Sequence, residues 1–449
     1  MSAQIQTYER AFEALEEERA GEPGWLAKNR EQAWASFAAH GLPTTRHERW
    51  KYTNLRSLRD FNFAHPLTCD EGQVTAQALE QVDFKELESI KLVFVDGLYR
   101  PELSTLLTSL PPRAVLGSLR AALETEPEAV EPFLGKVVDE GRPFVDLNSA
   151  LFVDGCFLHL PRGAALDLPV HLIHVATERA SAEGAASAWT RNLLVLEPGS
   201  QAVVMETYVG PAGAPHLSDV VTEVIVSDNA HLTHVRVQDE GSSATAVYNT
   251  HARLGRDANF KTFSLSLGGA LVRNEMIVSL AGQGGFCDLQ TAYPLTGQQH
   301  VDNHTEVHHK AAHCDSNQLY KGVAHDRSKC VFQGLIHVYR DAQKTNAIQS
   351  NPNLVLSEGA VADTKPQLEI YADDVRCTHG ATVGQLDPKQ TFYLRSRGMD
   401  LEAARLLLTR GFAVEVIDNL VDALPESMSK PVEERLTALL DARMSRFGS

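Results

Sequence analysis

Over residues 150 to 375 apolar and polar side chains alternate one by one, run after run, and no other feature constrains the fold as much. Phe263, Leu265 and Leu267 alternate with Thr262, Ser264 and Ser266; Met276, Val278 and Leu280 with Glu275, Ile277 and Ser279; Phe332, Ile336 and Val338 with Gln333, His337 and Tyr339. Successive side chains of a strand point to opposite faces, so each run predicts a strand with an inward apolar face and a wetter outer one. Turn residues recur at Pro198-Gly199-Ser200, Asp228-Asn229, Asp257-Ala258-Asn259 and Gly284-Gly285, at intervals of 30, 29 and 27 residues. Later turns at Asp326, Asp341 and Glu358 stand 15 and 17 apart, near half that interval. A long array of short strands at a quasi-regular step predicts a β-solenoid, whose stacked coils share one core. A β-sandwich needs fewer strands than roughly 225 residues supply, and the solenoid is favoured over it.

Both flanks carry the helical period instead. Tyr8, Phe12 and Leu15 recur at helical spacing, and Leu26, Ala33 and Phe37 share a face that stops at Gly41 and Pro43. Lys91 to Val95, Asp96-Gly97 and Leu98-Tyr99 predict a strand entering a tight turn, and Val115 to Leu123 a helix. Near the C-terminus Asp387-Pro388-Lys389-Gln390 is a strong helix start, Gly398 a stop and Asp400 the next cap. The helix after Asp400 carries Leu401, Ala404, Leu408, Phe412, Val416 and Leu420 on one face, broad enough to meet core on one side and something else on the other. Gly411 inside it costs ~1 kcal/mol relative to Ala, and close approach of another backbone or a plain kink accounts for it. Pro431 opens a last helix. The expected organisation is an N-terminal helical region (1–60), a mixed α/β connecting region (61–147), the solenoid core (148–384) and a C-terminal helical region (385–449).

Composition excludes several classes of function. With 41 Lys plus Arg against 58 Asp plus Glu the net charge is -17, and no basic stretch offers a phosphate-tracking surface for nucleic acid. No run approaches the ~18 apolar residues of a spanning helix, and the Glu-rich start is not a secretory signal. Six scattered cysteines without CxxC pairs predict a reduced, cytoplasmic chain. The phosphate-binding GxxxxGK[ST] loop, GxGxxG, HExxH and GxSxG are absent. Ser427 and Lys430 have SxxK spacing, but in an expected polar linker with nothing to complete a site.

Two clusters point to metal chemistry. His300, His304, His308, His309, His313 and Cys314 crowd one segment, and His304 and His308 share a face on helix or strand with Glu306 between them. Outward polar rows of a solenoid are the plainer reading. Cys377-Thr378-His379 is sharper: in extended backbone residues two apart point the same way, so thiol and imidazole converge. A protonated imidazole beside the thiol would lower its pKa. Two ligands cannot complete a tetrahedral site, so the others must come from a partner chain or a labile cluster. Cys287, Cys314 and Cys330 read as small buried hydrophobes.

The blocks HCDSNQLYKGVAHDRSKCVFQG (313–334), KTNAIQSNPNLVLSEGAVADTKPQLEIYADDVRCTHGATVGQLD (344–387) and FYLRSRGM (392–399) resemble the SufD family, subunits of the SufBCD iron–sulfur cluster assembly scaffold. RHERWKYTNLRSL (46–58) is similar to the family's WKYT signature. The resemblance implies a right-handed parallel β-helix, mainly β, with helical segments at both ends. It also implies pairing with a SufB-like paralogue and docking of a SufC-like ABC ATPase on the C-terminal helices, at Tyr393, Arg395, Arg397, Arg405, Gly411 and Phe412. It places His379, beside Cys377, at a nascent iron–sulfur cluster shared with the paralogue, with no nucleotide site in this chain. SufB-type chains usually carry an N-terminal cysteine cluster; here only Cys69 and Cys156 precede residue 286, and the tail after Gln385 is SufD-like.

The expected role is therefore a non-enzymatic scaffold half, with ATP-driven closure of the ATPase exposing His379 and Cys377. A homodimer of the isolated chain stays open. Two rivals remain: an exported β-helix polysaccharide hydrolase or lyase using Glu369, Asp373 and Asp374, and a homodimeric metal-binding protein using the His300 to Cys314 segment.

Overall fold

The interval between turns is one coil of a parallel solenoid. The computed structural model describes residues 3–15, 19, 21–59, 63–64, 74, 79–80, 82–105, 110–139, 141–178, 180–181 and 184–448. Strands alternate between two sheets for about seven turns. In the first sheet the register runs Leu217, Thr245, Leu271, His300, Lys329, Val361, every pairing parallel. In the second it runs His231, Asn259, Phe286, Asp315, Asn346, Arg376, again parallel. Each coil thus advances 26 to 32 residues, which is the spacing of the turn signals, and the later half-interval is the step from one sheet to the other.

The turn residues are where they are because one corner of each coil is left-handed. Gly199, Asn229, Asp257, Gly284, His313 and Lys344 all have φ between 53° and 75°. Gly, Asn and Asp tolerate that region best. Each donates its backbone N–H to the next coil, to the carbonyls of Asp228, Arg256, Gln283, Ala312, Gln343 and Asp374, at 2.6–3.2 Å. The corner is a hydrogen-bonded stack, so one coil's turn sets the position of the next.

Three layers of core follow. Met276, Val278, Leu280 and Phe332 fill the solenoid interior as the alternation predicts. Phe263, Leu265 and Leu267 do not. They face outward and are buried beneath helices Leu401–Ala423 and Glu426–Met444, against Ala413, Val416, Ile417, Leu420, Val432 and Leu436. Their neighbour Thr262 faces inward instead, its hydroxyl 3.0 Å from His234 Nδ1. On the other side helices Ala3–Ala14, Gly24–His40 and Pro143–Leu151 cover the outer face of the first sheet at Trp189, Leu217, Val247 and Leu271.

Three local expectations are corrected. Val115–Ser118 is a strand antiparallel to Cys156–Leu160, and only Leu119–Thr125 is helical, capped by Ser118 accepting from Ala121 N. The last helix begins at Glu426, so Ser427 and Lys430 lie in it and Pro431 falls in its second turn. Pro431 removes one backbone donor there, and burial of Met428 and Val432 on the same face offsets the loss. Around Gly411 a Cβ would meet nothing within 4 Å, so no backbone approaches it.

One buried group works against stability. Asp219 is fully buried under the N-terminal helices, and neither carboxylate oxygen has a hydrogen-bond partner among the described residues. Burial drives its pKa well above the ordinary carboxylate range, against a weaker downward pull from Arg191. A raised folded pKa means stability is lost as pH rises from the unfolded value toward the folded one. Asp219→Leu is therefore expected to stabilise the chain by about 1–3 kcal/mol at pH 7. Urea denaturation measures this, and the gain should shrink toward pH 4; a destabilised variant at pH 7 contradicts the account.

Candidate functional site

The two ends of the solenoid differ. At its start, strands Val115–Ser118 and Leu98–Tyr99 pair antiparallel and finish the sheets. At its end, among the described residues, strand Val361–Ile370 pairs only with Lys329–Val338, and strand Arg376–Gly384 only with Asn346–Val355. Both sheets stop on a full-length strand with one open edge, a ready template for another chain's strands.

Cys377 and His379 lie on that last strand. Register pairs Cys377 with Ala347 and His379 with Gln349, so both continue columns that face the interior in earlier coils: Phe260, Cys287, Ser316, Ala347, Cys377 and Thr262, Leu289, Gln318, Gln349, His379. The structure thus brings the expected pair onto one side of one strand. His379 is exposed because no further coil covers it. Cys377 is half-buried against Ile336, Val338, Ala347 and Ala372. Burial raises its thiol pKa, only partly opposed by the Ala347 backbone.

The surface around the pair is unusually apolar. The large apolar side chains exposed among the described residues run from Tyr339 to Leu407, including Ile348, Val361, Ile370, Tyr371 and Val383 on the final coils. Ile370 and Val383 continue interior columns behind Val338 and Asn353 and are exposed because no further coil covers them, whereas Ile348 faces outward.

A second apolar surface lies on the C-terminal helices. Phe392 and Tyr393 of helix Pro388–Ser396 are 73% and 57% exposed, and Leu406 and Leu407 are 41% and 45% exposed. Arg395 and Arg405 line a groove of about 780 Å³ with His325, Leu406 and Phe447. Arg397 lies over the Tyr393 ring at 4.9 Å. Tyr393, Arg395, Arg397 and Arg405 therefore gather at one end of the helical region. Gly411 and Phe412 sit further along Leu401–Ala423, and Phe412 is held to the solenoid: Lys321 Nζ donates to its carbonyl at 2.9 Å and lies 4.5 Å from its ring. Leu406 and Leu407 fall within the docking stretch read from the sequence (405–412), but the exposure of Phe392, Leu406 and Leu407 did not follow from it, since an apolar face alone does not reveal which part stays uncovered.

The histidine-rich segment is dispersed. On strand His300–His309, His304, Glu306 and His308 face outward, and His309 faces inward, its ring 2.9 Å from Ser316 Oγ. His304 Nδ1 accepts from Arg273 at 2.9 Å, and His308 stacks toward His337 at 5.7 Å. His313 is a left-handed corner, and Cys314 donates to the Gly282 carbonyl at 3.3 Å. No group of three His, Cys, Asp or Glu among the described residues is placed to hold a metal ion. The strand's two-residue period keeps His304, Glu306 and His308 on the outward face and sends His309 to the other. The carboxylates of the hydrolase reading are also engaged separately, Glu369 with His337 at 3.0 Å and Asp374 with Lys344. No helix among the described residues is long and apolar enough to cross a membrane.

The WKYT segment has a structural task. Trp50 covers the Arg273 guanidinium at 4.1 Å, Thr53 Oγ1 donates to Asp302 at 2.5 Å, and the Tyr52 carbonyl accepts from Lys329 at 2.9 Å. It clamps the N-terminal region onto the first sheet.

Comparison with known proteins agrees with this architecture. The family model described as SUF system FeS cluster assembly, SufBD core domain, matches residues 178–412, and the SufBD protein N-terminal region matches residues 2–172. The chain is 33% identical to iron-sulfur cluster assembly protein SufD of Escherichia coli (strain K12), over 88% of this chain and 90% of that one. It is 28% identical to iron-sulfur cluster assembly protein SufD of Bacillus subtilis (strain 168), over 93% and 96%. It is also 28% identical to the chloroplastic protein ABCI7 of Arabidopsis thaliana, over 90% and 86%.

Proposed function

Since the chain belongs to the SufBD family of iron–sulfur cluster assembly proteins, as a SufD-type member, we propose that it is the non-catalytic half of a cluster-building scaffold. Its partners in this reading are a SufB-like paralogue on the open end of the solenoid and a SufC-like ABC ATPase on the C-terminal helices. One observation carries the reading: His379 and Cys377 lie where both sheets end on strands with one open edge, amid exposed apolar side chains. A paralogue with the same kind of open end can continue both sheets, and the two remaining ligand positions then come from its strands. The nascent cluster is cargo, held by His379 and Cys377 together with the partner. Its assembly needs neither a nucleotide site nor a hydrolytic pair in this chain.

Closure of the ATPase would pull on Leu401–Ala423, which Lys321 ties to strand Asp315–Ala324. That strand belongs to the same sheet as His379, so movement at the helices reaches the site through paired backbone.

His379→Ala should leave the complex assembled but lower its iron and sulfide at least about tenfold. Anoxic affinity purification with subunit, iron and sulfide analysis tests this, and an unchanged metal content removes His379 from the site. A separate variant, Phe392→Asp with Leu407→Asp, should lose the ATPase from the purified complex, because a charge at the centre of an interface costs at least about 2 kcal/mol. Both positions are exposed in the free chain, so its thermal stability should not change. Retention of the ATPase would move its docking surface elsewhere.

A further inference from the structure

Directly behind His379 in the second sheet is a buried amide with an unused oxygen. Gln349 is its register partner one coil earlier, and Gln318 occupies the same column one coil before that. Gln349 is 1% exposed and Gln318 is fully buried. The two are joined, Gln349 Nε2 donating to Gln318 Oε1 at 3.3 Å, while Thr305 Oγ1 donates to the same oxygen at 2.7 Å from the opposite sheet. Among the described residues Gln349 Oε1 has no hydrogen-bond partner, and neither has Gln318 Nε2.

The fold makes room for this arrangement. A Cβ at Gly334 on the facing strand would lie 2.3 Å from Gln349 Nε2, so any larger residue there would push the amide out of this position. Phe332 and Leu289 lie in the same interior, so the amide sits among apolar side chains as well as the polar Gln318 and Thr305. A buried acceptor left unpaired destabilises the free chain. Neighbouring strands lie about 4.8 Å apart, within the span of a glutamine and an imidazole on the same column.

Resting on the reading of His379 as a cluster-site residue, we infer that Gln349 is the positioning residue for His379. When the partner covers the last coil, one ring N–H of His379 donates to Gln349 Oε1. The imidazole then has one tautomer, and its other nitrogen points out of the coil toward iron. Gln318 and Thr305 hold the amide so that its oxygen, not its nitrogen, faces His379. A ligand histidine oriented through its second ring nitrogen is more basic and better aligned, and loss of such a partner typically weakens metal binding about 10–100-fold.

The experiment uses the reconstituted complex with ¹⁵N-histidine-labelled chain, in wild type, Gln349→Met, Gln349→Glu and His379→Ala. Gln349→Met keeps the side-chain length and removes the acceptor; Gln349→Glu keeps an acceptor. The expected result is a single His379 tautomer in wild type and Gln349→Glu, and averaged ring nitrogens in Gln349→Met. Iron and sulfide should fall about tenfold or more in Gln349→Met, with assembly and thermal stability unchanged. If His379→Ala loses the cluster while Gln349→Met keeps both cluster and tautomer, the positioning role is overturned and the His379 site stands. If His379→Ala keeps the cluster, the site reading itself fails. Should Gln349→Met not assemble, the wild-type spectrum still decides, since averaged His379 nitrogens there overturn the inference.

Discussion

Arg273→Ala should destabilise the chain by about 3–5 kcal/mol and loosen the N-terminal region from the solenoid. Arg273 is fully buried on the outer face of the first sheet. Its guanidinium donates to Glu275 Oε1 at 2.6 and 2.9 Å, to Asp302, to His304 Nδ1 at 2.9 Å and to the Arg49 carbonyl at 2.9 Å. Trp50 closes over it. Removing it strands buried Asp302, which among the described residues keeps the Thr53 hydroxyl alone, and leaves Glu275 to Arg142 at 2.9 Å. Despite burial, the charges of Arg273 and Arg142 hold the Glu275 pKa far below the usual range, which measures how much it depends on them. Urea denaturation should show the loss, and limited proteolysis should open sites within residues 3–59 first. A loss under about 1 kcal/mol would mean that the site hydrates freely once Arg273 is gone.

The second large effect is acid unfolding in a narrow window. Burial pushes His171 and His251 down to about 3, and His174, His300, His304 and His309 down to about 4. In the unfolded chain each returns to about 6.5. Because the folded pKa values are depressed, the unfolded state binds more protons below pH 6.5, and stability falls as pH falls from there toward 4. Six such groups give a slope approaching roughly 8 kcal/mol per pH unit. A typical total stability of about 5–15 kcal/mol cannot survive that slope down to pH 4. His216 acts in the opposite sense: burial lowers its pKa, but Glu240, 3.0 Å from its Nε2, more than compensates, so its contribution holds at low pH and fades as pH rises. Asp219, with its raised pKa, acts in the same sense as His216, but the six histidines outnumber the two. Circular dichroism should place the acid midpoint between about pH 4 and 6, with uptake of several protons on unfolding. A chain still folded at pH 3.5 would show that these histidines gain solvent without unfolding.

The coils were legible because their determinants are local. Alternation over five or six residues selects a strand, and Asn229, Asp257 and Gly284 select a left-handed corner through their own backbone preferences. Asp387 and Asp400 cap their helices as read, accepting from Lys389 N and Ala403 N. The family was legible from contiguous blocks, several of which fall on the last coils and the helices that follow.

What only the tertiary structure decided involves partners far apart in the chain. Period two says that Phe263 and Thr262 face opposite ways, but not that helices some 150 residues later bury Phe263 and leave Thr262 inside. Crowded histidines suggest a metal, but their partners are set elsewhere: His304 by Arg273, His309 by Ser316 in the interior and His313 by a corner of the coil. Arg273 meets the Arg49 carbonyl across 224 residues, and no local preference records such a contact. Cys377 and His379 were found from their spacing; their place on an uncovered edge follows only from counting coils to the end of the sheet. Local backbone energies act over a few residues and are written there, whereas burial depends on which surface arrives from elsewhere, and that is settled only when the whole chain has packed.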